Sequence, residues 1–187
     1  MEIDQSLIGK VNSIDLEPIV YKLVSCPEGP QWTFEQAFHA EKWYRRFLFL
    51  ILRNNQESVI PTSAIDEIWH FHMLDSRKYM KDCDLLFGQY LHHFPYLGLR
   101  GDADVKQLHD AFEKTLGVFR DNFGEDPQDD ESRLFKVDQS HAPTTCGGSC
   151  GKTCGRGTCA SDGISNADPW QIGLRPTLGS SYSRQTA

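Results

Sequence analysis

Aromatic side chains run out early in this chain. Of 21, only Trp170 and Tyr182 lie after Phe135. Aromatic residues carry much of the apolar area that a core can bury. A packed core can therefore be built from about the first 125 of the 187 residues. The remainder of the chain is too polar to fold alone. The expected organisation is a helical domain over 1–124, an acidic linker over 125–143 and a largely unstructured Gly/Cys/Ser-rich tail over 144–187.

Within the first part the apolar residues recur at helical spacing, and no strand-like alternation stands out. Leu16, Ile19, Val20, Leu23 and Val24 form one stripe, with Ser13 as its cap, ended by Cys26-Pro27-Glu28-Gly29-Pro30. Thr33 and Gln36 form a capping box for a second helix running to about Arg53. Its apolar residues, Phe34 to Ile51, cover much of its circumference, which predicts the most buried helix. His39 is expected at its surface or boundary. Ser63 caps a third helix, Asp75 can cap a fourth over 76–87 closed by Gly88, and Asp104 opens a last one ending at Gly124. The expected fold is all-α, a bundle-like domain of four or five helices.

The chemistry-bearing residues concentrate in 65–95, which holds His70, His72, His92 and His93, four of the seven histidines. If 64–74 is helical, Asp66 and His70 are four apart and share a face. A carboxylate there can fix an imidazole tautomer and leave the other nitrogen for a metal or a proton. The same spacing also suits an ordinary buried hydrogen bond. His70 and His72 are separated by about 200° of helix rotation, so both can face one metal only if the helix bends or ends beside them. An unbroken helix from 64 to 87 would carry its end roughly 25 Å from His70. A site joining His92 or His93 to His70 therefore requires a break at Leu74-Asp75-Ser76. Otherwise His92 and His93 belong to a surface loop.

Trp69-His70-Phe71-His72-Met73-Leu74, with Tyr79 and Asp82-Cys83 after it, resembles the W-H-x-H-x-L-x-P-x-x-Y-x-x-D-C signature of the glycine-rich-domain-containing-protein-like family. The resemblance covers roughly 30–125. It implies a helix break where the family often has proline and this chain has Ser76. It transfers no agreed chemistry. The family's plant members are linked to stress responses and development.

The tail places Cys146, Cys150, Cys154 and Cys159 among glycines, which let a chain wrap closely around something small. Four thiolates suit Zn(II), Cu(I) or an iron–sulfur cluster, although the spacing matches no standard pattern. The alternatives are thiols that form disulfides or are inert. Cys26 and Cys83 read as small core residues.

The net charge of −7 disfavours a nucleic-acid partner. The best basic cluster, Lys42, Arg45 and Arg46, is small. The acidic start at Glu2 and Asp4 is unlike a secretory signal, and no apolar run is long enough for a membrane span, which leads to a cytoplasmic expectation. Two functions fit. One is a metal-dependent enzyme, oxidative or hydrolytic, acting on a small-molecule or peptide substrate. It would use Fe, Cu or Zn held by His70 and His93 with His72 or His92, with Asp66 as partner or base and Asp66, His70 and His72 as the catalytic candidates. The other is a non-catalytic module for a protein partner or for metal or redox sensing, in which the Trp-His motif is structural.

Overall fold

The computed structural model describes residues 4–27, 29–54, 59–135 and Leu178. Among these residues there are seven α-helices and no strand: α1 Gln5–Ser13, α2 Glu17–Ser25, α3 Phe34–Arg53, α4 Ser63–Leu74, α5 Ser76–Phe87, α6 Asp102–Phe123 and α7 Pro127–Leu134. The all-α expectation holds. Two helices, α1 and α7, are additional to the four or five expected.

The central helix is α3. Its capping box is in place, with Thr33 Oγ1 accepting from the Gln36 amide at 3.2 Å and Gln36 Oε1 accepting from the Thr33 amide at 2.9 Å. Helices α1, α2, α4 and α7 pack around it. Trp43, Tyr44, Phe47 and Phe49 are fully buried along its length. Each such side chain stabilises the fold by about 1.5–3 kcal/mol. Helix α6 joins through Phe119, edge-on to Trp43 at 5.5 Å, and through Phe123 against Phe49. Phe34, at the helix start, is the exposed exception.

The most buried helix also carries charge. Arg45 and Glu41 are both fully buried and pair at 2.7 Å, and Arg45 Nη1 donates to the Val11 carbonyl at 3.0 Å. Arg45 also donates to Ile14, so one guanidinium satisfies the carbonyls at the end of α1. The Lys42/Arg45/Arg46 cluster seen in the sequence is thus divided. Arg45 faces inward, while Lys42 and Arg46 pair with Glu125 at 3.0 and 2.8 Å.

Several helix starts differ from the sequence reading. Ser13 does not cap α2. It ends α1, and its hydroxyl donates to the Lys10 carbonyl at 2.6 Å. Helix α2 starts at Glu17, with Pro18 in its first turn. Helix α4 follows Thr62, making Ser63 its first residue. Helix α6 begins at Asp102. The Asp104 carboxylate instead collects the preceding loop, accepting from the Gly98 amide at 2.7 Å and from the Arg100 guanidinium at 2.6 Å. Part of the stretch expected as an acidic linker forms α7. Asp126 caps it, Pro127 opens it, and Phe135 beyond its end packs edge-on to Trp32 at 4.9 Å.

The helix break at Asp75 is present. Asp75 ends α4 with ψ 69°, outside the helical range, and its carboxylate caps α5 by accepting from the Lys78 amide. Gly88 closes α5 in the left-handed conformation (φ 67°), where glycine is favoured. No helix among the described residues is long and apolar enough to cross a membrane. Cys146, Cys150, Cys154 and Cys159 lie outside the described residues.

Candidate metal centre

Two elements build the site. Helix α4 supplies Asp66 and His70 from successive turns of one face. The segment after Gly88 returns to α4 and supplies His93. Its Nε2 donates to Asp66 Oδ1 at 3.0 Å. His70 Nε2 lies 3.8 Å from the same oxygen, and the two imidazole centroids are 4.8 Å apart. One donor atom from each of Asp66, His70 and His93 falls within 4.8 Å of the others. Asp66 is buried, whereas both imidazoles are half-buried, so the group has a dry side and a wet side.

These separations suit a small ion. Ligands at about 2.1 Å from one metal stand about 3.0 Å apart in an octahedral arrangement and about 3.4 Å apart in a tetrahedral one. The Asp66–His93 pair already has the first spacing, whereas His70, 3.8 Å from the same oxygen, would have to move closer to join them. Two imidazoles and one carboxylate form a donor set found in zinc hydrolases and in iron centres that keep open coordination positions. In the arrangement seen, His93 Nε2 carries a proton. Ligation through that atom would move the proton to Nδ1.

The remaining sequence candidates go elsewhere. His72 points into the core and is 2 % exposed. Its Nε2 donates to Asp82 Oδ2 at 3.0 Å, and its Nδ1 accepts from the Tyr44 hydroxyl at 2.9 Å. Burial pushes its pKa down, against the raising effect of Asp82, so the neutral ring with its proton on Nε2 is favoured. With both nitrogens engaged, His72 is not brought to the Asp66 cluster. His92 is exposed, with its ring beside Tyr90 at 4.8 Å, and it too stays outside the cluster. His39 is buried on α3, and desolvation lowers its pKa to about 4.

Sequence reasoning did not single out the buried polar group around His72. Lys78 Nζ donates to Asp82 Oδ2 at 2.5 Å, and both residues are buried. Burial works against the Asp82 charge, but the hydrogen bonds from His72 and Lys78 outweigh it and lower its pKa. The signal was the i, i+4 spacing of Lys78 and Asp82, which reads as an ordinary surface pair. Nearby, Trp69 Nε1 donates to the Tyr79 hydroxyl at 2.8 Å, and that hydroxyl donates to the Leu91 carbonyl at 2.6 Å. Burial raises the Tyr79 pKa well above its usual value.

Comparison with known proteins places these residues inside a family. A family model described as UCP032817-like matches residues 16–139. The chain is similar to glycine-rich domain-containing protein 1 of Arabidopsis thaliana, at 35% identity over 106 residues, which is 54% of this chain and 12% of that protein. It is also similar to glycine-rich domain-containing protein 2 of the same plant, at 33% identity over 85 residues, covering 43% of this chain and 10% of that protein. The chain thus spans about a tenth of the length of these relatives. No solved structure matches. The matches bear out the resemblance carried by the Trp69-to-Cys83 motif.

Proposed function

The chain belongs to the UCP032817-like family, and from the site built on its family-matched helices we propose that it is a metal-dependent enzyme. The observation that supports this is the convergence of Asp66, His70 and His93 to within 4.8 Å. These three residues would hold one divalent ion, of iron or zinc by donor type. When bound, such an ion acts as a Lewis acid or as a redox centre on its open side. Asp66, buried and fixed in the first half of α4, anchors the ion. The two half-buried imidazoles leave the solvent face for a small-molecule or peptide substrate. His72 serves the fold and not the reaction.

One observation favours a second reading, a non-catalytic interaction module. The Asp66–His93 hydrogen bond ties the 89–93 segment to α4 without an ion. Metal analysis of protein purified without a polyhistidine tag separates the two. The metal reading expects close to one iron or zinc per chain, lost in Asp66→Asn and in His93→Ala with the helical content retained. Wild-type protein that holds no ion and binds none on titration would refute it.

A further inference from the structure

His93 lies on a segment without regular secondary structure, yet its ring stands 3.0 Å from Asp66 Oδ1. Something must hold that segment in place, and the contacts two residues earlier supply it. Leu91 is gripped at both of its backbone groups by side chains of α5. Its carbonyl accepts from the Tyr79 hydroxyl at 2.6 Å. Its amide hydrogen-bonds to the Cys83 sulfur. Tyr79 and Cys83 are four apart and both buried, so they present the hydroxyl and the thiol from one helix face. The clamp is tied in turn to α4, because the Tyr79 hydroxyl accepts from Trp69 Nε1 at 2.8 Å. Trp69 sits beside His70 in sequence, and its ring packs on His93 at 4.7 Å between centroids.

We infer that Tyr79 and Cys83 are positioning residues for the metal site, a two-point backbone clamp on Leu91 that holds His93 within ligating distance of Asp66 and His70. The inference rests on the metal reading above and adds what sets the affinity of that site. Two ligands on one helix are fixed by α4 itself. The third is fixed only through its segment, so the entropy of ordering His93 is met in advance by the clamp. The Tyr79 hydroxyl is well suited to this work. It has one proton, given to Leu91, and a lone pair, taken by Trp69, so all three elements meet at one oxygen atom.

The test is titration of untagged full-length protein with Co(II), monitored by its visible absorption, at a temperature where every variant is folded. Wild type should bind one ion with the d–d bands of mixed nitrogen and oxygen ligation. Tyr79→Phe keeps the ring in the core and removes the hydroxyl, and it should weaken Co(II) binding about 10- to 100-fold, the range expected when a ligand loses its orienting partner. Cys83→Ala should weaken it as well, whereas Cys83→Ser retains an acceptor for the Leu91 amide and should bind within about threefold of wild type. The Cys83 pair carries the test if Tyr79→Phe does not fold. Weakened binding in Tyr79→Phe and Cys83→Ala with rescue by Cys83→Ser supports the clamp. Wild-type affinity in both Tyr79→Phe and Cys83→Ala, alongside loss of binding in His93→Ala, overturns the clamp and leaves the metal site standing. Wild type that binds no Co(II) overturns the metal reading itself.

Discussion

Two histidines separated by twenty-one positions illustrate how differently one residue type can be used. His72 and His93 both hydrogen-bond a carboxylate at 3.0 Å. His72 is sealed in the core with both nitrogens engaged, whereas His93 is half-buried at the cluster edge. His72→Ala should therefore lower stability by about 1–3 kcal/mol, because Asp82 and Tyr44 lose a buried partner. That loss should be the same with Zn(II) and with a chelator present. His93→Ala should instead remove the difference between the Zn(II) and chelator melting curves. Thermal unfolding of both variants under both conditions checks this, and a metal-dependent shift lost in His72→Ala would reverse the assignment. The sequence made Asp66 and His70 readable as a pair because four-residue spacing is a local property. It left His72 and His92 open beside His93, because which loop histidine returns to α4 depends on tertiary contacts at Leu91.

At the scale of elements, what could be read was whatever has a local cause. The capping box fixed the start of α3, and Asp75 with Gly88 bounded α5. Helix α1 escaped because it offers only Leu7, Ile8 and Val11 as an apolar stripe, and its end is satisfied from a distance by Arg45. Helix α7 escaped because its residues are mostly polar, with Leu134 its one aliphatic side chain, and its support comes from Phe135 on Trp32 and from Glu131 beneath α4. The α4–α5 junction allows a direct test. Ser76 is the first residue of α5, where proline is tolerated and its fixed φ is already helical. Asp75 before it lies outside the helical region, as a pre-proline residue must. Ser76→Pro should hence leave the fold intact and stabilise it by about 0.4–1 kcal/mol through the unfolded chain. Urea denaturation measures this. A destabilised variant would mean that the Ser76 amide or its neighbours need more freedom than the break suggests.

Among the described residues the fold is closed by α7, which packs on α3 and α6. Its Glu131 is buried and accepts from the Thr62 hydroxyl, at the start of the helix that carries Asp66 and His70. Burial raises the Glu131 pKa from 4.5 to about 7, against the lowering effect of hydrogen bonds from Thr62 and the Ala64 amide. The folded state thus binds a proton that the unfolded chain releases at lower pH. Its stabilising share is complete below about pH 4.5 and is lost as pH rises through about 7. His39 works in the opposite sense at the same interface, 3.9 Å from Asp130. Its pKa is lowered by burial from 6.5 to about 4, so its share is present above 6.5 and lost as pH falls toward 4. The two slopes oppose one another over nearly the same window, which flattens the pH profile of wild type. Glu131→Gln removes one of them while keeping an acceptor for Thr62. The stability of the variant relative to wild type should then increase between pH 4 and pH 8 by about 3 kcal/mol, the free energy of a shift of that size. Denaturant midpoints of both proteins across that range give the difference directly. A constant difference would show that the Glu131 carboxyl is hydrated in the fold, and that α7 is held to α4 by something other than a buried, protonated side chain.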